Sequence, residues 1–166
     1  EAGFSRVRAF VAPHDRLSVP AYEEVARRFR VLSTGWFEWR RLPPSWRRRY
    51  LLKKLLRRPH WRAAGTHLLT HPGCLLSYAR PRDSMLRAIR GAIARQQLTV
   101  LVTHWWEYFR DGEPDEGFIR VLHETAEFLA GEPGVRVTTF QELADGLIDP
   151  AGPPRPAAEG TGALVH

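Results

Sequence analysis

Short apolar runs recur along this chain, each followed by an amphipathic stretch, and that rhythm constrains the fold more than any other feature. The strongest run is Leu98–Thr103 (LTVLVT). It is continuous, β-branched and too short for a buried helix, so it predicts a strand covered on both faces, as strands of parallel sheets are. Val7–Ala12 (VRAFVA), Val31–Thr34, Thr66–Thr70 (THLLT) and Val135–Thr138 predict four more. Helical patterns lie between them. Ser18 is placed to cap a helix whose Tyr22, Val25, Ala26 and Phe29 share one face, and Asp83 or Ser84 to cap another with Met85, Leu86, Ile89 and Ile93 in a stripe. Phe118, Leu122, Thr125 and Leu129 mark a third over Asp115–Ala130, stopped by Gly131 and Pro133. Thr139 and Glu142 form a T-x-x-E capping box for a last helix, Phe140–Leu147.

Such β-α alternation predicts parallel strands joined by right-handed crossovers, in an open doubly wound sheet or a barrel. The 166 residues, 43% hydrophobic and 26% charged, suffice for one core. From Asp149 onward the Pro, Gly and Ala content predicts a disordered tail over 149–166. The lone Cys74 excludes an internal disulfide framework, and no apolar run approaches the roughly 18 residues of a membrane span. No signal peptide is visible, and localisation stays open between cytoplasmic and exported.

The net charge of +7 is unevenly spread. Residues 1–98 carry 21 Lys and Arg against 6 Asp and Glu, whereas residues 99–166 carry 4 against 12. Arg40–Arg62 holds ten basic residues and no acid. A block of that kind suits an acidic polymer, a nucleic acid or an anionic membrane. Leu51, Leu52, Leu55 and Leu56 share one side of a helix in this block. The simplest reading packs those leucines into the core and leaves the basic face to water; the alternative is a binding module. Trp39, Trp46 and Trp61 are placed to line a groove for an acidic glycan.

In α/β architectures the working groups gather where strands end. Of seven histidines, His14, His71 and His104 stand at or just after predicted strands. His67 falls within a strand and His123 on an exposed helical face. Pro13-His14-Asp15 closes the first strand with an imidazole beside a carboxylate, able to orient a substrate hydroxyl, ligate a metal or act as a base. Asp15 serves equally as a plain turn residue. His104 is followed by Trp105-Trp106-Glu107-Tyr108-Phe109. Aromatic faces beside an imidazole suit sugar binding with proton transfer; the bland alternative is a hydrophobic lid. No G-x-S-x-G, P-loop, G-x-G-x-x-G, H-E-x-x-H or C-x-x-C motif occurs.

The stretch Leu98–Asp145 resembles the closing segment of the polysaccharide deacetylase superfamily. It has a strand leading to His104, a helix, then Gly134-Val135-Arg136-Val137-Thr138-Thr139-Phe140-Gln141-Glu142-Leu143, similar to the family's "G-[aromatic/V]-x-[FV]-V-T-x-x-E-L". Phe10-Val11-Ala12-Pro13-His14 looks like a divergent copy of its "F-R-P-P-Y" turn. The resemblance implies an incomplete (β/α)7-type barrel with parallel strands, about five present in residues 1–148. It further implies removal of N- or O-acetyl groups from a glycan with a divalent metal such as zinc. His104 takes the general-acid position, and Pro13 and His14 the substrate-binding turn, with Asp15, Trp36, Trp105 and Trp106 around the sugar.

The family's base and metal ligands belong to "D-D" and "H-x-x-x-H" motifs, which on this resemblance lie upstream of Val7. His14 and His71 are the only weak candidates for a ligand within the chain, and the chain by itself is expected to be inactive. Val11 stands where the family has an arginine, and Trp36 lacks the Asp of the family's Asp-Trp element. His71-Pro72-Gly73 has no counterpart.

Overall fold

A computed structural model describes residues 7–148; the tail predicted over 149–166 lies outside the described residues. The chain begins with a βαβ unit. Strand β1 (Ala9–Val11) pairs parallel with β2 (Val31–Thr34), and helix α1 (Val19–Arg28) connects them. Ser18 caps α1 by accepting from the Ala21 N–H at 3.4 Å, as its position predicts. Tyr22 and Val25 bury the predicted face, with Ala26 and Phe29 packed at its edge.

Helix α2 (Pro44–Leu55) follows, then strand β3 (Trp61–Ala63) and strand β4 (Thr66–Thr70). β4 returns to the sheet parallel to β2, and β3 folds back on it antiparallel, giving the order β1-β2-β4-β3. The hairpin turn is only Ala64-Gly65, with φ of 48° and 79°. Two successive positive φ values define the type I′ geometry that matches the twist of paired strands.

The second half adds α3 (Arg82–Arg95), a small ribbon of β5 (Phe109–Arg110) and β6 (Glu113–Pro114), α4 (Glu116–Gly131) and α5 (Phe140–Ala144). Thr139 and Glu142 form the reciprocal capping box expected from their spacing. Asp115 caps α4 through the Phe118 N–H at 3.0 Å and is held by Arg82 and Arg110. The Phe118 N–H, with the two guanidiniums, keeps its carboxyl below the usual range. Neither Asp83 nor Ser84 caps α3; that helix starts one residue after Pro81, with Asp83 inside its first turn.

Three clusters fill the interior. One face of the sheet meets Tyr22, Phe37, Trp46, Tyr50 and Trp61, whose rings contact edge to face or tilted at centroid distances of 5.5–6.2 Å. A second cluster joins α3 to α4 through Met85, Ile89 and Phe118. The third packs Val31 and Leu69 against Val100 and Leu143.

Among the described residues the architecture is mixed α/β with a four-stranded, mostly parallel sheet and no closed barrel. Two of the five predicted strands do not pair. In 98–103, Leu98, Val100 and Val102 face the third cluster while Leu101 faces the second. The run is therefore covered on both sides, as its composition requires, yet both edges of β4 are already taken by β2 and β3. It stays extended and joins no ladder. Val137 in the other run is 70% exposed, so 135–138 has neither a partner nor a buried face. β1 is three residues long rather than six, and Val7 stays in solvent.

Helix α2 also departs from expectation. Trp46 and Tyr50 are its core face, while Leu51, Leu52, Leu55 and Leu56 all remain exposed. Trp46 and Trp61 are buried in the aromatic cluster and so cannot line a glycan groove.

Candidate functional site

Because β1, β2 and β4 are parallel, their C-terminal ends share one edge of the sheet. The turn Pro13–Asp15 leaves β1 there, Gly35 and Trp36 leave β2, and His71 leaves β4. His14 and Asp15 both adopt left-handed backbone, with φ of 52° and 56°. That region is uncommon for residues other than glycine, and the bonds made by the Asp15 side chain hold it. Asp15 Oδ1 accepts from the Gly35 N–H at 2.5 Å and from Thr34 Oγ1 at 3.2 Å. His71 Nε2 lies 3.6 Å from the same oxygen. A Cβ on Gly35 would sit 2.6 Å from Asp15 Oδ2 and 3.1 Å from His71 Cε1, so only glycine admits this approach. Asp15 thus fastens the turn after β1 to the end of β2, and the imidazole of His71 is brought beside it from the end of β4.

A second pair lies beside it. After the extended run 98–103, a single 3-10 turn, Trp105–Tyr108, brings Glu107 back under His104. His104 Nδ1 faces Glu107 Oε1 at 3.8 Å, and the imidazole stacks on Trp106 with centroids 4.4 Å apart and planes 16° from parallel. Glu107 is 4% exposed, and its other oxygen accepts the Tyr78 N–H at 2.7 Å. His104 keeps about a third of its side chain, 32%, in solvent while its Nδ1 is enclosed. Its exposure therefore falls on the rest of the ring, the edge away from Glu107.

The loop 71–78 ties the pairs together, since its first residue reaches Asp15 and its last donates to Glu107. Cys74 in that loop feels both: burial pushes its thiol up, and the carboxylates of Glu107 and Asp15 add to the effect. Around the pairs stand exposed aromatics. Trp105 is 72% exposed, with Trp36, Trp106 and Tyr78 each near half. Pro13 and His14 are exposed on the same edge.

Sequence reasoning put His14, Asp15, His71 and His104 at strand ends, and the structure brings two of the four, Asp15 and His71, into contact. Asp15 acts in the turn as a fastening group. Glu107, Gly35, Tyr78 and Cys74 carry the geometry without having been singled out; the i, i+3 spacing of His104 and Glu107 was the one available signal. His123 is exposed on α4 and His67 is buried in β4, as their positions suggest. Among the described residues, no group of three or more His, Cys, Asp or Glu side chains is arranged to hold a metal ion. His14 and His71 are not exceptions, so the residues described do not fit a metal centre of their own.

No protein-family model matches the chain, and neither a curated protein nor a solved structure does.

Proposed function

We propose that this edge of the sheet is a carbohydrate site, and that the chain is a polysaccharide deacetylase-like hydrolase removing acetyl groups from a glycan. The observation that carries the reading is His104, stacked on Trp106 and set against the buried carboxylate of Glu107. The carboxylate on one side and the stacked indole on the other restrain the ring's orientation, which is what a general acid needs. In the hydrolysis, water adds to the acetyl carbon, acetate departs, and His104 passes a proton from its exposed edge to the leaving amine or alcohol. Trp105 and Trp36 present flat apolar faces to solvent, which suits the faces of sugar rings. The residue pattern from Leu98 to Leu143 supports the choice of deacetylation among carbohydrate reactions. The divalent metal of such a reaction has no ligand set among the described residues.

Titration calorimetry with acetylated chito- and xylo-oligosaccharides tests the site. Binding is expected, and Trp105→Ala should weaken it tenfold or more. Acetate release is then measured with zinc added, for the chain alone and preceded by any upstream segment. Turnover is expected only in the longer protein, and His104→Ala should abolish it. Turnover unchanged by His104→Ala removes this residue from the mechanism, and failure to bind any oligosaccharide ends the carbohydrate reading.

A further inference from the structure

Helix α2 is apolar on two opposite faces. Trp46 and Tyr50 enter the core, yet Leu51, Leu52, Leu55 and Leu56 are 55%, 55%, 79% and 49% exposed. At about 100° per residue Leu51, Leu52 and Leu55 fall opposite the buried pair, with the C-cap residue Leu56 at their edge. Arg47 and Lys54 border the leucine face on one side, Arg49 and Lys53 on the other, and Arg48 stands within it. Beyond the helix end, Lys53, Lys54, Arg57, Arg58 and Arg95 line a cleft of about 420 Å³ that contains no acidic side chain. Among the described residues, none of these cations is paired with a carboxylate; the segment's one ion pair is Arg41 with Glu38. Burial, with the charge of Lys54 adding to it, pushes the Lys53 ammonium below its usual range.

We propose that α2 is a membrane-surface helix whose four leucines enter the headgroup region of an anionic phospholipid bilayer. The surrounding cations and the Lys53–Arg95 cleft would hold the lipid phosphates. An exposed apolar face flanked by Lys and Arg is the pattern of interfacial helices. No helix among the described residues is long and apolar enough to cross a membrane, so the contact is with the surface. The leucines decide between occupants. A soluble polyanion would use the cations and leave four leucines in water. A second copy would bring two cation-ringed faces together, and like charges oppose that. An anionic bilayer satisfies both groups at once. The inference does not rest on the carbohydrate reading.

The test is co-sedimentation of the full chain with vesicles of phosphatidylcholine alone or mixed with phosphatidylserine, at rising salt. Two variants at exposed positions accompany it: Leu51→Ser/Leu55→Ser, and Arg58→Gln/Arg95→Gln. Circular dichroism and thermal melting check that both stay folded. Expected are at least tenfold tighter binding to the anionic vesicles, weakening with salt, and at least a tenfold loss in the leucine variant. The leucine variant should still bind heparin as the parent does, whereas the arginine variant should lose affinity for both. The proposal is overturned by any of three results: no vesicle binding, full vesicle binding by the leucine variant, or a dimer in light scattering that the leucine variant dissolves.

Discussion

The backbone nitrogen of Gly35 lies 2.5 Å from Oδ1 of Asp15, so a single carboxylate oxygen joins the turn after β1 to the end of β2. The same oxygen accepts from Thr34 and faces His71. Asp15→Ala leaves the Gly35 N–H without its acceptor, and a partly buried donor left unmade costs about 1–3 kcal/mol. Urea denaturation should show that loss. Gly35→Ala drives a Cβ to within 2.6 Å of Asp15 Oδ2 and should be destabilising to a similar degree. The double variant should lose less than the two together, since each disrupts the same contact. Strict additivity would mean the two residues act independently.

His60 makes stability depend on pH. Its Nδ1 accepts from the Thr70 N–H at 3.3 Å, and its Nε2 meets the Leu98 carbonyl at 2.6 Å. A ring that accepts at Nδ1 is neutral, so Nε2 donates. Burial holds its pKa below the usual 6.5, with the Leu98 carbonyl opposing and Lys53 adding to the fall. The unfolded chain then binds the proton more readily than the folded one. The contribution of His60 is complete above pH 6.5 and is lost as pH falls toward the lower folded value. Unfolding free energies measured from pH 8 to pH 5 should decline below about 6.5, and His60→Gln should flatten that part of the decline. A profile that His60→Gln leaves unaltered excludes the residue as its source.

Glu107→Gln separates charge from packing at the second pair. The amide oxygen can still accept the Tyr78 N–H, so the melting temperature should move little. If Glu107 keeps His104 oriented, turnover in the longer protein should fall about tenfold or more. Equal turnover in parent and variant would assign Glu107 to the fold alone.

Ala64 sits at φ 48° in the β3–β4 turn, a region that costs a non-glycine residue about 1 kcal/mol. Asn-Gly is the favoured pair for this turn type. Ala64→Asn should therefore raise the melting temperature by about 2–4 °C. Calorimetry showing no rise, or a fall, would mean the turn is not under that strain.

The βαβ start was legible because its stripe, cap and run lengths point the same way, and the α3–α4 pair because its stripes do. Ser18 and the Thr139–Glu142 box are local signals, and each sits where the sequence places it. Strand pairing was not local. Leu98–Thr103 has the composition of a strand because it is buried on both sides, but composition does not say which edges of β4 are free. β3 was hidden because Trp61-Arg62-Ala63 carries one basic residue in three and sits at the end of a basic run. The leucines of α2 misled for a related reason: helical spacing shows that residues share a face, not whether anything covers it. The site was legible as a set of strand ends, whereas the pairing of Asp15 with His71 depends on the order β1-β2-β4, which no local pattern carries.

The aromatic cluster of Tyr22, Phe37, Trp46, Tyr50 and Trp61 divides the tryptophans by optical environment. Trp46 and Trp61 are shielded within it, while Trp36, Trp105 and Trp106 face solvent and Trp39 is partly exposed against Tyr50. Acrylamide should quench the red edge of the emission spectrum, from the rim, and spare the blue edge, from the interior. A ligand on the rim will then be seen in the quenchable fraction, and loss of the fold in the protected one, from a single unlabelled sample.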